Sequence, residues 1–352
     1  MLGSRRWPLL FLLVVLALPP LAAVVALPGE KQLKNLVGID TSEGCGPIRN
    51  VGPESAWRQE PDTPILRDGP SSATIAGAIY IVGGISEFRD DFRFAASEDR
   101  VERFDPRSGE WTRLPNLPRR LNHVNLAAVG HTLLALGGHT EDFDAGAATG
   151  ESFAYDTRAR RWTRIADMPT PRGGAGTAVI GDRVYVVGGK RGHASLSAVE
   201  SYDVSEDRWR AHADMPSRRD HHAVAAGEDG RIYAAGGRQE NEVSMRTVEI
   251  YDPREDTWTA GPDLPEPKAG FGMVRTPAGV VVAGGEDISR WTLYGGVYAL
   301  KPGARRWRTL PSMSHPRHGH GMEYVEGRLF VIGGSRCSGY FPEPESYSLP
   351  IT

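Results

Sequence analysis

Ten residues after each of six tryptophans, at positions 57, 111, 162, 209, 258 and 307, stand Arg67, Leu121, Arg172, Arg219, Lys268 and Arg317, with Arg120 beside the one exception. Only 41 of the 352 residues are Lys or Arg, so composition does not put a base at five of six equivalent places. Histidines follow closely. His123 and His221 share one offset from their tryptophans, and His222 and His320 share the next, with His318 two residues before His320. Arg238 and Glu286 each come directly after a Gly-Gly pair. Guanidinium and ammonium groups interspersed with imidazoles bind carboxylates, phosphates or acidic peptides through charge-assisted hydrogen bonds. The candidate ligand-binding set is therefore Arg67, Arg120, Arg172, Arg219, Lys268, Arg317, His123, His222, His320, Arg238 and Glu286. A base repeated at a fixed place can equally serve a structural contact with its neighbour, and the spacing alone leaves both readings open.

Other chemistries find less support. His318 and His320 share a strand face, yet no carboxylate or cysteine stands at a ligand spacing from them, and no HExxH or EF-hand pattern occurs, so no metal is expected. There is no GxSxG and no phosphate-cradling glycine loop. No catalytic set and no cofactor are expected. Formal net charge is −3, which gives no reason to expect a nucleic acid partner.

The elements that must position these residues are set by six Gly-Gly pairs, at 83-84, 137-138, 188-189, 236-237, 284-285 and 333-334, each closing a short apolar run such as VYVVGG. The distance from Trp to the first glycine is 26 residues five times and 27 once, between Trp209 and Gly236, where the turn GEDG is one residue longer. An insertion is cheapest in a hairpin loop. An aromatic residue precedes the tryptophan by seven positions at Phe104, Tyr155, Tyr202 and Tyr251, and Leu300 takes that place before Trp307. Each unit reads as a four-stranded antiparallel meander, and a period near fifty residues signals a repeat architecture. The sixth unit carries Tyr347 but ends before any Trp-bearing strand, while Trp57 has no unit before it. Trp57-Arg58-Gln59 are expected to supply that missing strand and close the ring, which removes an exposed sheet edge.

The Gly-Gly pair, the tyrosine and the tryptophan at these spacings resemble the kelch-repeat family over residues 57–352. The resemblance implies an all-β fold, a six-bladed β-propeller whose last blade is closed by an N-terminal strand. Members of that family serve as binding modules, enzymes and scaffolds, so the fold leaves the function open. The copper chemistry of the galactose-oxidase-like members needs a cysteine cross-linked to a tyrosine, and the iron motif of the nitrile-specifier relatives needs an Asp four residues before a His, which none of the ten histidines has. The exported sialic acid mutarotase type carries few required groups, and a carbohydrate-active enzyme of that type, with Glu286 or a channel histidine as acid/base, stands as the alternative to a binding module.

Residues 1–27 join Arg5-Arg6 to an apolar run from Leu9 to Leu27, with Ala22, Ala23 and Ala26 near its end, and read as a signal peptide, an uncleaved anchor being the competing reading. Residues 28–56 form a lead-in arm. The expected location is extracytoplasmic, secreted or periplasmic. There an even cysteine count suggests a bridge, Cys45 to Cys337, tying the arm to the last unit. Loops after the first two Gly-Gly pairs are long and mix acids (Glu87, Asp90, Asp91, Glu98, Asp99, Glu141, Asp142, Asp144) with Phe88, Phe92, Phe94 and Phe143, a composition suited to contact with a partner or a sugar ring. The expected partner is a protein, or an acidic small molecule or carbohydrate, held at the Arg/His-lined mouth.

Overall fold

In the computed structural model of the chain, the described residues are 46–53, 56–88, 95–140, 147–337 and 342–351. No α-helix occurs among them, and none of their segments is a helix long and apolar enough to cross a membrane. Six four-stranded sheets account for most of the strands. The third is representative: Gly176–Ile180, Arg183–Val187, Val199–Asp203 and Arg208–Ala211, each antiparallel to the next. The second strand of every sheet is apolar on both faces because another sheet covers each side. In the first sheet all five residues of Ala78–Val82 are buried. The extra residue between Trp209 and Gly236 falls between Ala223–Ala226 and Ile232–Ala235, in the hairpin turn where the sequence put it.

The sheets form a closed ring, a propeller, and hydrogen bonds trace the closure twice. The N–H of the second glycine of each pair donates to the carbonyl of the residue ten past the next tryptophan: Gly84 to Leu121, Gly138 to Arg172, Gly189 to Arg219, Gly237 to Lys268, Gly285 to Arg317, and Gly334 back to Arg67. All six second glycines have positive φ, a conformation that glycine adopts without the steric cost a Cβ brings. The indole N–H groups make an outer circuit. Trp111 donates to the Pro61 carbonyl, Trp162 to Pro115, Trp209 to Ala166, Trp258 to Ala213, Trp307 to Pro262 and Trp57 to Ser312. Each tryptophan thereby ties its blade to the one before, and in the first four blades its ring lies against the aromatic residue of its own blade, as Tyr155 on Trp162 with centroids 5.0 Å apart.

The seam is closed as the sequence requires. Arg58–Glu60 pairs antiparallel with Ser346–Pro350, and Trp57 is buried in one cluster with Tyr347, Leu349 and Met313. One detail is corrected. Leu349, not Tyr347, holds the aromatic place of the last blade, because Leu349 lies opposite Leu329 as Tyr202 lies opposite Val184. Tyr347 stands two residues earlier, where the third blade has Glu200. Leu300 in the fifth blade shows that the place needs bulk rather than a phenol.

Part of the arm is seen: Ile48–Arg49 runs parallel to Thr292–Tyr294, which pairs in turn with Glu286–Asp287. Residues 1–45, including Cys45 and the apolar leader, lie outside the described residues, as do Asp90, Asp91, Phe92, Phe94, Glu141, Asp142, Phe143, Asp144 and the side chains of Glu87 and Phe88.

Candidate functional site

The bases ten residues past each tryptophan do not line a mouth. Arg67, Arg172, Arg219, Lys268 and Arg317 are at most 2% exposed, and each spends its charge on its own blade. Arg172 Nη1 lies 2.7 Å from Glu200 Oε2, and Arg219 Nη2 lies 3.0 Å from Glu249 Oε2. Arg67 pairs with Glu102, Lys268 Nζ is 3.0 Å from Glu266 and Arg317 Nη2 is 3.2 Å from Glu345. Arg67, Arg219 and Arg317 also donate to the carbonyl of the first glycine of their own pair, at Gly83, Gly236 and Gly333. Burial lowers the pKa of all five, and the partner carboxylate works against that shift. The carboxylates at 102, 200 and 249 stand two residues before the aromatic of their strand. Where that residue is Phe153 the base is Leu121, and both are buried in one apolar cluster. Where it is Tyr298 or Tyr347, the cation sits over the ring, Lys268 Nζ at 5.2 Å and Arg317 Cζ at 5.1 Å, and takes its carboxylate from Glu266 or Glu345. Base and partner change together, blade by blade, so the pair is an internal clamp. The anion-binding role expected for these five is corrected on that ground.

His222 and His320 are corrected as well. Both rings are buried, with neither nitrogen hydrogen-bonded, and a Cβ on Gly188 or Gly284 would come within 2.8 Å of their Cε1 atoms. They fill the space over the preceding blade's first glycine, as Val124 and Phe271 do elsewhere. Burial lowers each to about 3, so they are neutral packing groups. Arg120 is exposed on the surface, away from this packing.

What does meet at the axis is the residue twelve past each tryptophan: Gly69, His123, Gly174, His221, Gly270 and Gly319, all with φ between 48° and 63°. Hydrogen bonds link them in order round the mouth. Gly174 N–H donates to His123, His221 to Gly174, Gly270 to His221, Gly319 to Gly270 and Gly69 to Gly319, at 2.7–3.0 Å. Four glycines leave the rim bare, and the two side chains that remain touch each other, His123 Nε2 lying 3.0 Å from His221 Nε2. His123 Nδ1 is 2.7 Å from Asn122 Oδ1, and His221 Nδ1 donates to Asp220 Oδ1 at 2.5 Å. Asp220 also accepts from Ser195 Oγ and from Arg238, whose other side meets Glu242. Burial holds both imidazoles below their ordinary pKa, with the neighbouring His221 reinforcing the shift at His123 and Arg238 at His221. Across the rim, Glu286 Oε1 lies 3.5 Å from His318 Nδ1. Asp68 Oδ1 is buried without a hydrogen-bond partner, and burial raises that carboxyl to about 6 while His318 opposes the shift.

Of the sequence candidates, His123, Arg238 and Glu286 therefore belong to the mouth. Asp68, Asn122, Asp220, His221 and His318 complete it. Their signal was available: His221 breaks the twelfth place after a tryptophan, where glycine is the rule, and Asp68, Asn122, Asp220 and His318 hold the eleventh, where the other two blades have Gly173 and Ala269. Trp291 was missed too. It stands outside the 26-residue spacing, caps the turn Ile288–Arg290 with φ 50°, and is 47% exposed. Ile48, Val51 and Val243 are likewise exposed. No group of three or more metal-ligating side chains occurs among the described residues.

A ring of four-stranded sheets held by Gly-Gly carbonyl links and Trp indole links is a kelch-type β-propeller. The profile of the KLHDC2/KLHL20/DRC7 Kelch-repeats domain matches residues 69–262 and 123–334, and the chain belongs to this kelch-repeat family. It is similar to Kelch-like protein terF of Aspergillus terreus, 31% identical over 183 residues that make up 49% of this chain and 39% of that protein. Kelch-like protein 25 of Xenopus tropicalis is 30% identical over 154 residues, 43% of this chain and 24% of that protein. Kelch-like protein 34 of Homo sapiens is 31% identical over 147 residues, 39% and 23% of the two chains. The matched part is thus well under half of each relative. Kelch domains generally bind protein partners, and this chain carries such a domain.

Proposed function

We propose that this chain is an exported interaction module that holds a protein partner on the face where the Gly-Gly loops open. The observation that carries the reading is Trp291, a bulky residue kept at positive φ and half exposed in the hairpin that follows Glu286. A large side chain in that backbone region is strained, and tryptophan is among the residue types enriched at interface hot spots. Ile48 and Val51 extend the apolar strip along the arm, and Val243 stands on the loop of the fourth blade. Arg238 and the imidazoles would receive acidic groups of the partner, and Asp68 with Glu286 basic ones. Export rests on the Arg5-Arg6 and Leu9–Leu27 leader. The Cys45–Cys337 bridge is part of the same proposal, supported by the absence of a free cysteine among the described residues, where Cys337 lies buried. Peptides selected by display on the folded chain test the reading. Trp291→Ala should weaken the selected peptides about tenfold or more at unchanged Tm. Peptides indifferent to both Trp291→Ala and Arg238→Ala would overturn it.

A further inference from the structure

The innermost strands of the six blades enclose a cavity of about 480 Å³ along the propeller axis. The third residue of each strand can be compared directly, because each faces the residue three before its Gly-Gly pair. Ala73 lies opposite Tyr80, Ala127 opposite Leu134, Ala178 opposite Tyr185, Ala225 opposite Tyr233, Val274 opposite Val281 and Glu323 opposite Phe330. Five blades fill the place with a small apolar side chain. The sixth puts a carboxylate there.

The other five seams close without it. Each of these residues packs against the first strand of the next blade, as Ala178 does against Val224, and an alanine would do the same at the seam. Glu323 instead receives Ser72 Oγ on Oε1 and Thr74 Oγ1 on Oε2, both at 2.8 Å. Among the described residues these two hydroxyls are its hydrogen-bond donors, and no ion pair reaches it. Burial alone dominates, raising the carboxyl to about 7 against the two hydroxyls. An ionised carboxylate without a counter-charge is costly in such surroundings. It is nevertheless partly exposed and lines the cavity, so a solute can reach it. Arg275, the cavity's other charged side chain, projects from the fifth blade and is exposed to solvent. The lining also includes Ala127, Ala178, Ala225, Val224 and Phe271.

We propose that the axial cavity is a binding site for a small primary alkylamine, its ammonium held by Glu323 with Ser72 and Thr74 and its hydrocarbon part laid on the alanine wall. The dimensions fit: ligand cavities run from about 300 to 1,000 Å³, mostly apolar with a few placed polar groups. An ammonium group offers the positive charge the carboxylate lacks and three donors for its remaining lone pairs. A carboxylate ligand would meet Glu323 with like charge, and a neutral alcohol would leave it uncompensated. This site is distinct from the proposed partner face, which uses neither Glu323 nor the cavity.

Calorimetric titration of the full chain with n-butylammonium, at about pH 8.5 where an alkylamine keeps its proton and Glu323 has lost its own, tests the assignment. One site per chain is expected, with n-butanol giving no heat. Glu323→Gln keeps the shape and both hydroxyl contacts, and should weaken binding about tenfold or more. Wild-type affinity should also fall about tenfold between pH 8.5 and 5.5 as the carboxyl takes up its proton, a readout that stands if the variant fails to fold. No binding at pH 8.5, or binding equally tight to Glu323→Gln and at both pH values, overturns the proposal. Loss of peptide capture in Trp291→Ala bears only on the partner face.

Discussion

The third blade can be given the second blade's solution. Arg172 and Glu200 form a clamp closed at 2.7 Å, with Arg172 fully buried and Glu200 6% exposed. Leu121 and Phe153 occupy the same two places one blade earlier. Removing one member of a buried ion pair leaves the other desolvated and unpaired, a loss of about 3–5 kcal/mol. Arg172→Leu alone strands Glu200, which then keeps only the Thr170 hydroxyl at 2.8 Å. Glu200→Phe alone strands the guanidinium with two backbone carbonyls, Thr170 and Val186. The double variant removes both charges and fills the space with apolar bulk, a replacement that is often neutral or stabilising. Urea unfolding should therefore show each single variant losing about 3–5 kcal/mol and the double variant returning to within roughly 1 kcal/mol of wild type. The coupling would be well above the 0.5–3 kcal/mol range of ordinary neighbouring contacts, on the order of 5 kcal/mol. At roughly 2 °C per kcal/mol for a domain of this size, the single variants melt about 5–10 °C lower. Additive losses in the double variant would refute the clamp. So would single variants of unchanged stability that had lost a ligand, which is what an anion site would show.

Other outcomes follow from the same contacts. Glu323 has its pKa raised from 4.5 to about 7 in the fold, so the folded chain holds the extra proton, and its contribution to stability is full below pH 4.5 and declines as pH rises to about 7. Glu323→Gln should remove that decline and be about 1–2 kcal/mol more stable than wild type above pH 7, after allowance for water in the cavity, with the two converging near pH 4.5; parallel stability curves would refute the assignment. Trp57→Ala deletes a buried ring and its hydrogen bond to Ser312 at the seam, and should lose about 3–5 kcal/mol in denaturant unfolding, with proteolysis beginning near the arm. Gly319→Ala places a Cβ onto Asp68 Oδ1 at φ 58° and should lose about 1–2 kcal/mol; a neutral result would mean the axial rim is loosely built.

The fold was legible because its signals are periodic and local. Gly-Gly marks a positive φ, an apolar run marks a strand covered on both faces, and a fixed Trp spacing marks an indole that must reach a fixed carbonyl. The function of Arg172 or Arg317 was not legible from the base alone. A charge at a fixed offset has the same appearance whether it faces solvent or a buried carboxylate, and burial is a property of the whole ring. The partner could have been read, though. Glu102, Glu200 and Glu249 stand two residues before the aromatic in the blades of Arg67, Arg172 and Arg219, Tyr347 stands at that place in the blade of Arg317, and Phe153 where the base is absent. Covariation among repeats of one chain carries the information that pairing requires. The mouth was only half legible for the opposite reason: Asp68 and Asp220 have unlike neighbours, and their convergence depends on closure bringing the first, fourth and sixth blades to one axis.

Repetition and departure thus carry different information in a ring of this kind. A residue present in every blade, or in all but one, answers a demand of the ring itself, which is why the second glycine, the indole and the base all prove to be links or clamps. Chemistry directed outward is asymmetric, since a ligand seldom has the symmetry of the ring. It should be sought where one blade breaks the rule at a cost the fold does not require: an imidazole pair where glycine would close the rim, a strained tryptophan on one loop, a carboxylate in a row of alanines. Each of these carries a penalty in desolvation or backbone strain. None is repaid by packing within its own blade.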